Sequence, residues 1–437
     1  MHYLSTRNNQ LKESFLNILF RGLSKDGGLF LPSEWPTISL KDLAGKSYQE
    51  VAHSIIYPYI QDDISYADLQ LIINTAYESF DHKKIAPLLN IDQNKYILEL
   101  FYGPTFAFKD YALQFLGSLF SYLLNQSKKK ITVLGATSGD TGSAAINAFK
   151  GKDDIEVFIL HPHNNVSEVQ RRQMTTVEEN NIHNFAIEGN FDDCQNIVKE
   201  LFVDEEIQSK RQLTSANSIN VARWLPQMFY YFLAYRQLVS EGKDIVFSVP
   251  SGNFGNICAG MVAKELGLPI KHFIASNNAN RTVTDYLETG NYEPKPSVST
   301  ISNAMDIGNP SNFVRILELF QNEYGNVKEN LNSFSYNDEE TKQAMQSVYK
   351  ETGYVMDPHG AVGYLGLQEH FKTHPDEVGA FLETAHPCKF RETVQEAIGK
   401  EIEIPDAIKE VLKKEKKAIS IKDYADLKSF LLSEQGI

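Results

Sequence analysis

Two stretches of the chain share one layout: a short apolar, β-branched run enters a loop of glycines and hydroxyls, and the loop enters a helix of small residues. The first is Ile131-Thr-Val-Leu-Gly-Ala-Thr-Ser-Gly-Asp-Thr-Gly-Ser-Ala-Ala-Ile146, the second Ile245-Val-Phe-Ser-Val-Pro-Ser-Gly-Asn-Phe-Gly-Asn-Ile257. Strands that alternate with helices in this way build parallel sheets, and ligands gather where strand ends turn into helix starts. In the first loop Gly135, Gly139 and Gly142 allow tight bends and close ligand approach, while Thr137, Ser138 and Thr141 add hydroxyls beside free helix-start amides. In the second, Ser251, Gly252, Asn253, Gly255 and Asn256 suit the wrapping of a dianionic phosphate. Taken singly, either loop reads as an ordinary capped turn. Neither matches the Gly-x-x-x-x-Gly-Lys-Ser/Thr or the Gly-x-Gly-x-x-Gly pattern, which demotes nucleoside triphosphates and NAD as ligands.

A third stretch, Gly103-Pro-Thr-Phe-Ala-Phe-Lys-Asp-Tyr-Ala-Leu-Gln-Phe-Leu116, sets Lys109 behind Phe106, Ala107 and Phe108 at the head of an apolar-faced helical pattern. Burial among aromatics disfavours the ammonium form, and a neutral amine is a nucleophile able to form a Schiff base. The plain alternative is a lysine whose stem covers apolar surface while its ammonium reaches water.

Residues 11–93 read as mostly helical, with apolar positions recurring every three or four residues at 11–23 and 66–80 and a break at Gly27 and Gly28. From residue 95 strand-like runs at 131–134, 157–160, 245–249 and 270–275 alternate with helical stretches. We therefore expect an α/β chain divided into a mostly helical N-terminal domain (1–94), a catalytic core (95–400, in subdomains 95–240 and 241–400) and a helical C-terminal tail (401–437). The lysines of 407–417 read as a solvated helix face. At 437 residues the chain exceeds what a single core usually serves, so packed units sharing a cleft are expected.

The formal charge of -14 opposes both nucleic acid and anionic membranes, so neither is expected as a partner. Cys194, Cys258 and Cys388 are too scattered for a disulfide framework or a Cys-x-x-Cys pair, and no metal is expected. The first ten residues lack a signal-peptide pattern and no apolar run approaches a membrane span, which together with the cysteines suggests a cytoplasmic protein.

The Lys109 stretch, with Leu113-Gln-Phe-Leu-Gly117 behind it, closely resembles the cofactor-lysine segment of the threonine synthases. The likeness runs on through Asp26-Gly-Gly-Leu-Phe30, Thr137-Ser-Gly-Asp-Thr-Gly-Ser-Ala144, Asn217-Ser-Ile-Asn-Val-Ala-Arg223, Pro250-Ser-Gly-Asn-Phe-Gly255, Ala304-Met-Asp-Ile-Gly-Asn-Pro-Ser-Asn-Phe313 and Thr384-Ala-His-Pro-Cys-Lys-Phe390. Asn8, the 163–167 stretch without a glycine, and Cys388 depart from the residues usual in that family. The resemblance implies a fold type II pyridoxal-phosphate enzyme of the tryptophan synthase β-like group, with two parallel-type α/β domains flanking the cofactor cleft. It further implies conversion of O-phospho-L-homoserine and water into L-threonine and phosphate, in a monomer or homodimer.

Residue by residue, the resemblance makes Lys109 the Schiff-base lysine and later the acid-base that moves protons. The loop Ser251, Gly252, Asn253, Phe254, Gly255 and Asn256 would hold the cofactor phosphate, and Thr384 would meet the pyridine nitrogen with a neutral hydroxyl. Thr137, Ser138, Gly139, Asp140 and Thr141 would receive the substrate carboxylate. For the substrate phosphate the matching segments offer Arg223 first and then Arg315, with Asn217, Asn220, Ser311 and Asn312 as neutral donors. His386 reads as a packed structural histidine. Alternatives are a serine or threonine dehydratase or a phospholyase of the same fold, and a metabolite-binding homologue that has lost chemistry.

Overall fold

The computed structural model describes residues 1–163 and 166–433. In chain order its strands are β1 (Tyr3–Ser5), β2 (Lys12–Glu13), β3 (Phe30–Pro32), β4 (Leu88–Asp92), β5 (Lys95–Glu99), β6 (Ile131–Ala136) and β7 (Ile155–Pro162). There follow β8 (Ile182–Ile187), β9 (Leu213–Ser215), β10 (Ile245–Pro250), β11 (His272–Asn277), β12 (Leu331–Ser335), β13 (Val378–Glu383) and β14 (Ile419–Ile421). The four runs expected to be strands become β6, β7, β10 and β11, the last starting two residues later than the expected 270. Their side chains are almost all buried, as strands covered by helices on both faces must be.

The strands form two large sheets. One, in the order β12-β11-β10-β13-β5-β4, is parallel except for the β4–β5 edge; the other, β14-β8-β7-β6-β9, is parallel throughout. Because β10, β13 and β5 are parallel neighbours, their carboxyl ends deliver the 251–256 loop, Thr384 and the stretch leading to Lys109 side by side. The first glycine loop arrives opposite them from the end of β6.

Sheet membership does not follow chain order. The β4–β5 hairpin straddles the expected boundary at 94/95, β5 sits in the sheet built mainly from residues 241–400, and the tail contributes β14 beside β8. Strand pairing is decided by which edge a segment can reach, and a periodicity reading carries no information about that.

The N-terminal region is helical with an antiparallel sheet of its own, β2-β1-β3, whose strands of two or three residues are too short to show a period. The helix expected over 11–23 is confined to Phe15–Arg21, because β2 occupies residues 12 and 13, and the one expected over 66–80 spans Tyr66–Tyr77. Between them Tyr48–Ile60 starts at a capping box in which Ser47 and Glu50 satisfy each other's amides, and it tolerates Pro58 in its last turn. These helices pack against Lys109–Ser127, the helix headed by the key lysine; Tyr77 donates to the carbonyl of Tyr111 (2.9 Å). The tail helix expected over 407–417 spans Asp406–Lys413.

Asn8 has no positive φ, so a side chain there needs no glycine-like backbone. Cys388 is buried as a free thiol, whereas Asn164 and Asn165, within the stretch lacking a glycine, lie outside the described residues. No helix among the described residues is long and apolar enough to cross a membrane.

Candidate active site

Lys109 is the first residue of its helix, and the turn before it is locked on both sides. Phe106 adopts a left-handed φ of 62°, an unfavourable state for an aromatic residue that persists only where surroundings impose it. Those surroundings are Phe108 N–H donating to Thr384 O (2.8 Å), His386 N–H donating to Phe106 O (3.0 Å), and Asp110 accepting from both the amide and the hydroxyl of Thr105 (2.8 Å each). The lysine is half-buried by surface, its stem covered and its amine bordering a narrow cleft, 4.4 Å from the Phe108 ring centroid. Burial first, and the nearby Arg223 charge second, depress its pKa to about 8 against a smaller opposing pull from Asp140. The positive end of the helix that Lys109 begins acts in the same direction.

The cleft brings together Lys109, Asp140, Thr384 and the whole loop 251–256. Within that loop Ser251 N–H is spent on Ser276 O (2.9 Å), while the amides of residues 252–256 meet no acceptor among the described residues. They open the helix Gly255–Glu265, which has no side-chain cap. Asn256 accepts from Tyr230 (2.8 Å) and Tyr231 (2.7 Å), and its buried Nδ2 has no partner among the described residues. Gly252 cannot carry a Cβ, which would stand 2.7 Å from Met305 Cα. Behind the loop Asn253 is braced by Ser311, whose amide donates to its Oδ1 (2.6 Å), and by Asn312, whose Nδ2 donates to its carbonyl (3.0 Å).

The opposite loop is tighter. The Thr137 hydroxyl accepts from the amides of Gly139 and Gly142 (2.9 Å each), so only Ser138, Asp140 and Thr141 among its helix-start residues keep amides without an acceptor among the described residues. Gly139, at φ 137°, packs against the Gln170 amide, which donates to Asp140 (2.8 Å). Asp140 also pairs with Lys389 (2.8 Å), both buried; burial alone would raise its pKa, but the Lys389 charge and the hydrogen bonds from Lys389 and Gln170 together outweigh that and lower it.

The remaining candidates divide. Arg223 is completely buried, donates through Nε to Ala216 O (2.7 Å), and leaves both terminal nitrogens without partners among the described residues. Desolvation lowers its pKa to about 9. A buried, half-satisfied guanidinium beside Lys109 is a standing demand for an anion. Arg315, equally buried, is already used: it donates to the carbonyls of Phe30 (3.2 Å), Ser218 (2.8 Å) and Ile219 (2.7 Å) and to the Asn312 side chain. Asn217 clamps both polar groups of Ala136 at the end of β6, and Asn220 caps the helix Val221–Trp224 and donates to Leu19 O (2.9 Å). His386 is held nearly buried with its pKa pushed down to about 4 by desolvation.

Ser218, Gln227, Ala304, Met305 and His359 also line the cleft without having been singled out from the sequence. Ser218 and the Ala304-Met305 pair lie inside stretches that match the family. His359 carried a different signal, Asp357-Pro-His-Gly, an N-cap aspartate followed by a first-turn proline. A surface hollow of about 1040 Å³ along residues 16–27 and 202–213 is far roomier than the cleft's about 40 Å³. It is lined by residues such as Lys25 and Lys129, and the depressed lysine, the free amides and the orphaned Asn256 Nδ2 belong to the narrow cleft instead.

Pyridoxal phosphate presents an aldehyde, a pyridine nitrogen and a phosphate, and the cleft answers each: a deprotonatable buried amine, a neutral hydroxyl on Thr384, and open amides with the orphaned Asn256 Nδ2. Comparison with known proteins agrees. The family of pyridoxal-phosphate dependent enzymes matches residues 81–382, the threonine synthase N terminus residues 2–77, and the threonine synthase C-terminal family residues 360–431. The threonine synthase of Pseudomonas aeruginosa is 39% identical over 95% of each chain, and that of Escherichia coli 40% identical over 94% of each. A crystal structure of pyridoxal-phosphate-bound threonine synthase from Brucella melitensis superimposes with a TM-score of 0.91 at 38% identity, covering 99% of this chain and 98% of that one. The chain belongs to the threonine synthase family of pyridoxal-phosphate-dependent enzymes.

Proposed function

We propose that the protein converts O-phospho-L-homoserine and water into L-threonine and inorganic phosphate, with the parts divided as follows. Lys109 would hold the cofactor through its amine, and the same amine, when free, would carry protons to and from the substrate carbons. Its depressed pKa puts an unprotonated population within reach of neutral pH. The open amides of 252–256 would hold the cofactor phosphate, and Thr384, which lines the same cleft, would offer its hydroxyl to the pyridine nitrogen. When bound, pyridoxal phosphate supplies the electron sink that makes proton loss from the substrate carbon feasible.

The open amides of Ser138, Asp140 and Thr141 receive the substrate carboxylate at a helix start. Arg223 takes the substrate phosphate with its unpaired fork; Arg315, whose donors are committed, serves with Ser311 and Asn312 as the brace behind the cofactor loop. The observation that carries this reading is the convergence of a depressed lysine and two differently opened helix starts on one cleft, with a buried guanidinium close enough for its charge to act on that lysine.

The test is product analysis. Incubation with O-phospho-L-homoserine is expected to release phosphate and threonine in equal amounts, and Lys109→Ala to abolish both. Ammonia and a keto acid from serine, without threonine formation, would support the dehydratase reading instead.

A further inference from the structure

His359 is the second residue of the helix Pro358–Phe371, buried against the Phe390 ring (4.8 Å between centroids) with one edge on the cleft. Its Nδ1 lies 3.0 Å from Asp357 Oδ1, and its Nε2 lies 3.2 Å from the backbone nitrogen of Ala304. A backbone amide only donates, so Nε2 is a bare acceptor and the ring's proton sits on Nδ1, facing Asp357. Asp357 in turn accepts from Ala385 N–H (2.9 Å), the residue after Thr384. Ala304 belongs to the turn Asn303–Met305, which presses on Gly252: a Cβ there would meet Met305 Cα at 2.7 Å and Ala304 O at 3.0 Å. One imidazole thus ties the Thr384 wall to the cover of the 251–256 loop.

We propose that neutral His359 is a positioning residue that clamps the Ala304–Met305 turn onto the 251–256 loop, and that a second ring proton opens the clamp and weakens cofactor-phosphate binding. The reasoning is steric and electrostatic. A protonated Nε2 and the Ala304 amide are two donors facing each other, so one must turn away and the cover must shift. The proposal rests on the reading that the 251–256 loop holds the cofactor phosphate.

The charged groups around the ring are Asp357 at its own helix start, Asp140 from the opposite loop, and Asp306 from the end of the covering turn. Lys389 lies beyond Asp140 as its ion partner, Glu383 lies beyond Asp357, whose amide donates to it, and Lys109 borders the same cleft. Burial favours the neutral ring, but Asp357 and the two further carboxylates outweigh it and hold the His359 pKa above its ordinary value. The second proton therefore arrives at a higher pH than on a free imidazole. Tight binding needs the neutral ring, so affinity falls as pH falls.

The experiment measures binding of pyridoxine 5'-phosphate, which lacks the aldehyde and so does not react with Lys109, to the full-length chain freed of cofactor, from about pH 8.5 to about pH 6. The wild type is expected to lose about tenfold more affinity over this range than His359→Gln, whose amide oxygen accepts from Ala304 but does not titrate. Superimposable profiles would overturn the clamp. Should His359→Gln fail to fold, nitrogen-15 histidine spectra of the wild type decide. A proton on Nδ1 at about pH 8 supports the clamp, and a proton on Nε2 overturns it. Gly252→Val separates the layers: if it binds the probe as the wild type does, the loop assignment itself has failed. If it loses the probe while the pH profiles superimpose, only the clamp has.

Discussion

The two glycine loops look alike as sequence and differ as structure. Each follows a parallel strand and opens a helix, but the loop after β6 closes part of its own amide set through the Thr137 hydroxyl and ties its aspartate to Lys389 and Gln170. The loop after β10 leaves the amides of 252–256 open and is braced from behind by Ser311 and Asn312 and covered at Gly252 by the Ala304–Met305 turn. Three open amides suit a carboxylate, and five with an added side-chain donor suit a phosphate. What separates two helix-start anion sites of similar composition is thus how many donors the chain has already consumed.

The largest test of this contrast lies in the first loop. Lys389→Met would leave the Asp140 carboxylate buried without its cation, a loss of about 3–5 kcal/mol of stability by urea unfolding, with cofactor affinity changed little. Asp140 has a lowered folded pKa, so its stabilising contribution is present above the ordinary carboxylate pKa and disappears as pH falls through the lowered value. Lys389→Met should lack this acid-limb dependence. If its main effect were cofactor loss, the division of labour between the loops would break.

In the second loop Gly252→Val forces a side chain against Met305 backbone, and cofactor affinity is expected to fall about a hundredfold, corresponding to the upper part of the usual overpacking cost. Retention of the cofactor on gel filtration and its visible absorbance report the result. Gly139→Ala pushes on the buried Gln170 amide that is tied to Asp140 and adds backbone strain at a positive φ, and should act on substrate KM rather than on cofactor retention.

A finer test concerns the ligand between the loops. Arg223→Met should raise KM for the phosphorylated substrate about 10- to 100-fold, the usual worth of a charged hydrogen bond. Because the Arg223 charge helps depress Lys109, the pH midpoint for reloading cofactor onto the stripped chain, near 8 in the wild type, should move upward in this variant. An unchanged KM would pass the phosphate role to another group.

Much of this was legible in residue order. Lys109, Asp140, Thr384 and the 251–256 loop, picked from separate stretches, line one cleft. Less legible was where donors go. Arg223 and Arg315 are both arginines in matching segments, and only their carbonyl partners reveal that one has a free fork and the other is a brace. Asn217 and Asn220 similarly spend their side chains on β6 and a helix cap. His359 and Ala304 are remote in sequence, so a clamp between them leaves no local pattern. The two- and three-residue strands of the N-terminal sheet and the pairing of β14 with β8 follow from tertiary reach, which periodicity does not encode.

The most direct test is to reduce the purified protein with borohydride and map the cofactor-bearing peptide by mass spectrometry. The pyridoxyl group is expected on Lys109 alone, with loss of the visible absorbance. A group found instead on buried Lys389, or an unmodified Lys109 in active protein, would contradict the account.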